Sequence, residues 1–158
     1  MKKVLPIFLL ISSVLITTFC TQEKLEPGIP VNFDSIQAQE YEPVMEKGLS
    51  VGKNISIEGY LSLQNLMSLQ SNTIMVNLFE EKESKGKSVS VSLPVGEKEN
   101  QMEGLPNPYK EEDLKVHTNL KEIVGPNDKV RIHGIRLGSS LDNTVYVQSI
   151  WIEKVLEK

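Results

Sequence analysis

The feature that most constrains this chain is a strict alternation of apolar and polar residues just before Pro94. Val89, Val91 and Leu93 fall on one side of an extended strand, and Ser88, Ser90 and Ser92 fall on the other. Successive side chains of a β-strand point to opposite faces, so the pattern predicts a strand with one buried and one solvated face. Pro94 ends this strand because proline has no backbone N–H to donate to a neighbouring strand.

Four further segments have the same two-residue period. The first strand is predicted to be bulged or bent at Gly59, and its inward residues are Ile55, Ile57, Leu61 and Leu63. In the second strand Ile74, Val76 and Leu78 point inward, and Met75, Asn77 and Phe79 point outward. The fourth strand contains Val130 and Ile132. The fifth changes phase near Ser149 and has as inward residues Val145, Val147, Ile150, Ile152 and Val155.

The alternation weakens between Gly96 and Asp128. Asn107-Pro108 followed by Glu111, Glu112 and Asp113 predicts a helix start, because acidic side chains stabilise the N-terminus of a helix. The alternative for residues 109–120 is a short strand. We expect an irregular insert with a short helix.

Three strands, an insert and two more strands resemble the OB-fold, a five-stranded Greek-key barrel. The resemblance covers roughly residues 51–156, and its most telling segments are Lys53–Tyr60, Asp128–Gly134 and Val147–Val155. It implies an all-β fold class, β-rich with a short helical insert, for a domain spanning 51–158. The segments look like small OB-fold modules of bacterial envelope proteins, but this fold hosts many functions and transfers no active site.

The N-terminal twenty residues have the composition of an export signal. Lys2 and Lys3 precede an apolar stretch that ends at Cys20, the only cysteine of the chain. The segment resembles the lipobox of bacterial lipoproteins, although Phe19 stands where that family has a small residue. The resemblance implies removal of the leader, palmitate-type acylation of Cys20, and an envelope location at the outer membrane, facing the periplasm or the surface. The alternative is a non-acylated secreted protein cleaved after Cys20.

Residues 21–50 contain Pro27, Gly28, Pro30 and Pro43 and no sustained apolar period. They predict a flexible tether between the anchor and the barrel. Within the tether, the stretch 33–41 is compatible with a short helix capped by Asp34 or Ser35.

Charge and metal-ligand composition restrict the classes of partner. The chain has 17 Lys and Arg against 21 Asp and Glu, a net charge of −4, and loss of Lys2 and Lys3 with the leader makes it −6. An acidic chain without a basic stripe argues against nucleic acid as a partner. His117 and His133 are the only histidines and have no ligand spacing around them, so we expect no metal and no cofactor.

The outer face of the second and third strands, where many OB-folds bind ligands, supplies the candidate site. The candidate ligand or partner face comprises Tyr60, Met75, Asn77, Phe79, Arg131 and His133. The alternative is that the aromatic residues Tyr60, Tyr146 and Trp151 only pack against the barrel.

No catalytic constellation is present in the sequence. Ser50-Val51-Gly52-Lys53 has the Ser-x-x-Lys spacing of penicillin-recognising enzymes, but the companion motifs of those enzymes are missing. The sequence therefore predicts a membrane-anchored, non-enzymatic module that binds another envelope protein or a glycan. The alternatives are an OB domain that binds an oligosaccharide or small molecule, and an unrecognised hydrolase.

Overall fold

The structure is a computed structural model that describes residues 26–38, 49–64, 66, 68–69, 72–139 and 144–157. The elements of these residues are, in chain order, β1 (Ile29–Pro30), α1 (Phe33–Ala38), β2 (Leu49–Ser62), β3 (Ser68–Leu69), β4 (Thr73–Glu81), β5 (Lys85–Pro94), a 3-10 helix (Glu111–Asp113), β6 (Val116–His117), β7 (Ile123–Val124), β8 (Lys129–Ser139) and β9 (Val145–Lys154).

Five of these strands close into a barrel. Strand β2 pairs antiparallel with β8 along most of its length and, at its C-terminal end, antiparallel with β4. Strands β4 and β5 form an antiparallel pair, β5 runs parallel to β9, and β9 returns antiparallel to β8. The predicted fold class, an all-β, five-stranded Greek-key barrel of OB-fold type, is thus confirmed.

The register of β4 and β5 confirms the predicted inward and outward residues of both strands. Their buried residues are Ile74, Val76, Leu78, Val89, Val91 and Leu93. The outward residues pair across the two strands as Met75 with Ser92, Asn77 with Ser90, and Phe79 with Ser88. These core residues are joined by Ile55, Ile57 and Leu61 of β2, Val130 and Ile132 of β8, and Val147 and Ile152 of β9, which fill the barrel interior.

Gly59 does not mark a bulge, in contrast to the sequence prediction. The pairing of β2 with β8 continues through Gly59, and the register shift of β2 lies between Val51 and Asn54. Gly59 is needed because β4 comes close: a Cβ at this position would overlap the carbonyl oxygen of Phe79. The next residue, Tyr60, pairs with both β8 and β4.

The predicted phase change of the last strand is confirmed at Ser149. His133 pairs with Trp151 and Gly134 pairs with Ser149, so Ile150 is an extra residue on β9. Because of this bulge Ile150 is only partly buried and lies outside the core cluster, as does Val155. The prediction that these two side chains point into the core is wrong.

The insert between β5 and β8 closes one end of the barrel. Its helix is limited to the three residues Glu111–Asp113, and the chain then forms a hairpin of β6 and β7, so the alternative of a short strand is correct for residues 116–117. The Glu111 carboxylate accepts the backbone N–H of Leu63 and fixes the insert to the end of β2. The insert places four side chains in the core: Met102, Leu114, Val116 and Val124.

Part of the segment predicted as a tether packs against the other end of the barrel. Phe33 and Ile36 of α1 are buried in the core cluster, with 5% and 0% of their surface exposed. The Arg136 guanidinium, itself buried, donates from Nε to the carbonyl oxygen of Ile36 at 2.7 Å. The folded unit therefore includes residues 26–38.

The predicted short helix is present, but its cap is Asn32 rather than Asp34 or Ser35. The Asn32 side-chain oxygen accepts the backbone N–H of Ser35 at 2.7 Å, and Ser35 Oγ accepts the backbone N–H of Asn32 at 3.0 Å. This reciprocal arrangement satisfies two backbone donors at the helix start.

Candidate functional site

The structure divides the predicted face between two surfaces. Met75, Asn77 and Phe79 are partly exposed on β4 beside the serines of β5, and we call the set Met75, Asn77, Phe79, Ser88, Ser90 and Ser92 the serine face. Arg131 and His133 lie on β8, which is separated from β4 by β2. Tyr60 on β2 stands between them, paired with Phe79.

Tyr60 is a packing residue. Only 8% of its surface is exposed, its hydroxyl donates to the Glu157 carboxylate, and Lys82 Nζ lies 5.5 Å from the centre of its ring. The hydrogen bond to Glu157 raises the pKa of Tyr60. Tyr60 therefore fixes the C-terminal segment to the barrel and does not present a free ring for stacking, whereas Tyr146 and Trp151 are half-buried.

The amide of Asn77 is already engaged within the serine face. Its Nδ2 donates to the carbonyl oxygen of Gln64 at 2.8 Å, and its Oδ1 accepts the hydroxyl of Ser90 at 3.4 Å. The remaining contact groups of this face are two apolar side chains and serine hydroxyls.

A second surface forms where residues 26–32, which we call the strap, run along the edge of β2 and pair with it. Val31 N–H donates to the carbonyl oxygen of Ser56 at 2.9 Å, and Asn54 Nδ2 donates to that of Glu26 at 3.1 Å. Gly28 lies directly on the backbone of Ile55, where any Cβ would overlap the carbonyl group. The strap is thus seated on the barrel by backbone contacts.

Between the strap and the barrel lies an open groove of about 560 Å³, which we call the strap groove. The strap side consists of proline, glycine, valine and asparagine residues and the first residue of α1, and the barrel side consists of charged and polar residues. Its lining residues are Pro27, Gly28, Pro30, Val31, Asn32, Phe33, Ser56, Glu58, Glu80, Lys129, Arg131 and His133.

Charged residues of β2, β8 and β9 form a line of ion pairs on the groove's barrel side, which we call the ion-pair row. Glu58 accepts Arg131 Nη2 at 2.6 Å and lies 3.2 Å from Lys129 Nζ. Arg131 Nη1 in turn donates to Glu153 Oε2 at 3.3 Å. The Arg131 hydrogen bond lowers the pKa of Glu58, and Glu58 raises the pKa of Arg131, so both stay charged at neutral pH.

His133 lies beneath the strap at the end of this row. Only 4% of its surface is exposed, and its Nδ1 accepts the backbone N–H of Gly28 at 3.3 Å. Its ring contacts Trp151, with 4.3 Å between ring centres. Burial lowers the pKa of His133, against the opposing effect of Glu153.

Sequence reasoning selected Arg131 and His133 but missed the strap and the two carboxylates that hold Arg131. Glu58 and Glu153 were detectable in principle, because both share the outward parity of Arg131 on neighbouring strands. The strap was not detectable by periodicity, since its contacts are made by backbone atoms.

Cys20, the predicted lipidation residue, lies outside the described residues. No helix in the described part of the chain has the length and hydropathy of a membrane span. The same residues contain no group of three or more potential metal ligands, and His117 Nε2 lies instead 3.0 Å from Glu103 Oε1.

The fold and these two surfaces define the protein as an OB-fold-like all-β barrel with an N-terminal strap seated on its outer wall. The sequence matches no protein-family model, and no curated protein or solved structure matches it.

Proposed function

We propose that this chain is a lipid-anchored protein of the bacterial cell envelope and that its barrel is a non-enzymatic binding module. The proposed partner is an extended polypeptide segment of another envelope protein, and the proposed contact is the strap groove. One observation carries the proposal: a polar groove is open on the outer wall of a barrel whose interior is filled by its own side chains.

The construction of the groove favours an extended peptide. Pro27 and Pro30 restrict the backbone of the strap, so this wall loses little conformational freedom when a ligand binds. The opposite wall presents charges of both signs along one line, with Glu80 at its edge. A peptide in extended conformation offers regularly spaced N–H and C=O groups as well as charged side chains.

The proposal of a lipid anchor at Cys20 is inferred from the residues of the leader. An apolar stretch behind two lysines ends at a lone cysteine, and acyl chains on that cysteine give durable attachment because each buried methylene contributes about 0.8 kcal/mol. A module held at one membrane meets partners that are held there too, which raises their effective concentration.

Reversal of one groove charge tests the proposal. The full chain is extracted from its membrane in detergent with cross-linked partners, and the captured proteins are compared between wild type, Glu80→Arg and Glu122→Arg. Glu80 is exposed and lines the groove, whereas Glu122 is exposed on the β6–β7 loop at the far end of the barrel. We expect at least tenfold less of a specific partner with Glu80→Arg and no change with Glu122→Arg; equal capture by both variants contradicts the groove as the contact.

A second candidate function is oligosaccharide binding at the serine face. The observation that favours it is the register, which places three serines opposite Met75, Asn77 and Phe79 on the two strands that bind such ligands in OB-folds. Calorimetry with envelope glycans tests it: Phe79→Ala should abolish the heat of binding, whereas Tyr109→Ala, which removes an exposed ring of the insert, should not.

A further inference from the structure

The contact between His133 and the strap depends on the protonation state of the imidazole. Nδ1 accepts a backbone N–H from Gly28, so the neutral ring must carry its proton on Nε2. Nε2 in turn lies 3.4 Å from Glu153 Oε2, a distance at which two charges attract but which is long for a hydrogen bond.

Protonation of His133 turns Nδ1 from a hydrogen-bond acceptor into a donor. Nδ1 of an imidazolium is a donor, and it would then face the N–H of Gly28, another donor. The ring cannot simply turn to solvent, because it is 96% buried between the strap and Trp151. The nearby Glu153 carboxylate, by contrast, attracts the positive charge of the imidazolium at Nε2.

We propose that the strap is an acid-released clasp: protonation of His133 removes its hydrogen bond to Gly28 and detaches residues 26–32 from the edge of β2. The contacts that remain are the pairing of β1 with β2 at two residues, to which Pro30 supplies no N–H, and two hydrogen bonds at the ends of the strap. These are Val31 N–H to the carbonyl oxygen of Ser56 and Asn54 Nδ2 to that of Glu26.

The charges around His133 set the direction of the effect. Glu153 on β9 favours the imidazolium, Arg131 on β8 disfavours it, and Glu58 on β2 is engaged by Arg131. The strap faces the ring with the Gly28 backbone, and its one charged side chain, Glu26, is exposed.

Burial outweighs Glu153 and lowers the pKa of His133 below 6.5. Docking of the strap is therefore at full strength above pH 6.5 and weakens, by up to tenfold per pH unit, as the pH falls toward the lowered pKa.

The clasp would also set how far the barrel stands from its membrane, a consequence that rests on the proposed anchor at Cys20. With the strap docked, the chain from Cys20 to Glu26 reaches at most about 20 Å. With the strap released and α1 still in the core, the chain from Cys20 to Phe33 reaches up to about 45 Å. Acidification would thus free the barrel to reach partners further from the bilayer.

Two measurements on the full chain in detergent test the clasp. Amide hydrogen exchange of Gly28, Ile29 and Val31, corrected for the intrinsic effect of pH, reports docking. Fluorescence of Trp151, the only tryptophan, reports the charge on the imidazole it contacts. Between pH 7.5 and 5 we expect exchange of the strap to rise at least tenfold while β4 and β5 stay protected, with the same midpoint as the fluorescence change. Strap exchange that does not depend on pH overturns the proposal.

Three variants assign the effect to its residues. Asn at position 133 offers a non-titrating acceptor near the place of Nδ1, so His133→Asn should keep the strap protected at pH 5, and His117→Asn, which changes the other histidine, should behave like wild type. Gly28→Ala displaces the strap by overlap with Ile55 and should therefore raise the fluorescence midpoint, because coupling between docking and protonation is reciprocal. A pH response that persists in His133→Asn, or an unchanged midpoint in Gly28→Ala, contradicts the clasp.

Energy transfer from Trp151 to a lipid-attached acceptor, measured on vesicles reconstituted with the chain extracted from its membrane, separates the two proposals. We expect transfer to fall on acidification in wild type and to stay constant in His133→Asn. If strap exchange rises with acid but no transfer occurs at any pH, because the chain does not bind the vesicles, the clasp stands and the anchor at Cys20 is contradicted. Transfer that is present but does not change with pH contradicts the change in distance.

Discussion

Val91 occupies the centre of the barrel, where no polar group is available to a charge. It is fully buried, and the residue that pairs with it on β4, Val76, is buried as well. A carboxylate at this position would lose its hydration without compensation. We predict that Val91→Asp abolishes cooperative thermal unfolding and native circular dichroism. The control is Ser88→Asp, on the exposed side of the same strand, which should melt like wild type; a sharp melt for Val91→Asp would contradict the assignment of β5.

Gly59 is required by the close approach of β4 to β2. We predict that Gly59→Ala lowers the free energy of unfolding by about 2–4 kcal/mol, since the new methyl group overlaps the carbonyl oxygen of Phe79. Gly104→Ala is the matched control, because a Cβ there meets only Val95 Cγ1, at 4.0 Å. Urea unfolding measures both, and equal values for the two variants would mean that the strands do not approach as closely.

Inward and outward residues of regular strands were predictable from sequence, whereas the reasons for single glycines were not. Val89 and Ser90 differ in hydropathy and lie next to each other, so local pattern assigns their faces. Gly59 and Gly28 are explained only by the backbones of Phe79 and Ile55, which are remote in sequence. A residue whose role is to have no side chain leaves no periodic signal.

At the scale of elements, α1 is the part of the predicted tether that belongs to the core. Ile36 is fully buried, and the Arg136 guanidinium bonds the helix to β8 near the helix C-terminus, where a cation is favourable. We predict that Ile36→Ala costs about 2–4 kcal/mol of unfolding free energy in urea titrations. Leu120→Ala, which truncates a side chain that is 74% exposed, should cost less than about 0.5 kcal/mol. A negligible loss of unfolding free energy in Ile36→Ala would show that α1 does not contribute to the core and belongs to the tether.

The pairing of β2 with β8 carries a pH-dependent contribution from Glu58. Its pKa is lowered from 4.5 mainly by Arg131, so the stabilisation is present above pH 4.5 and is lost as the pH falls through the lowered value. The pair is partly exposed, so Glu58→Gln should cost only about 0.5–1 kcal/mol at pH 7. This difference from wild type should shrink as the pH falls below 4.5 in urea titrations. The control is Glu97→Gln, exposed on the loop after β5, which should change the free energy of unfolding far less than Glu58→Gln does at pH 7.

The elements that sequence reasoning misjudged are those stabilised by distant partners. Residues 109–120 contain acids typical of a helix start, yet Glu111 uses its carboxylate to bind the backbone of Leu63, and the chain continues as a hairpin. Pro27, Gly28 and Pro30 are typical of a linker, and the same residues form a strap because β2 offers a free edge there. Amino-acid composition indicates which local structure a segment favours in isolation. In the insert and in the strap, contacts with distant residues determine the structure instead.

At the scale of the whole described structure, the barrel core includes side chains of α1 and of the insert as well as those of the five barrel strands. The barrel interior is occupied by its own side chains, so the surfaces open to partners in the described residues are external, and the strap groove and the serine face are two of them. The fold class was predictable because five alternating strands with one insert permit few topologies. The strap groove was not, because it exists only between the strap and the closed barrel.

Intact mass of the native protein, extracted from its membrane, tests the proposal that this barrel is a lipid-anchored envelope module most directly. We expect a polypeptide that begins at Cys20 and carries the mass of two or three acyl chains. A cytosolic polypeptide that retains Met1, or an exported one without acyl mass, would contradict it.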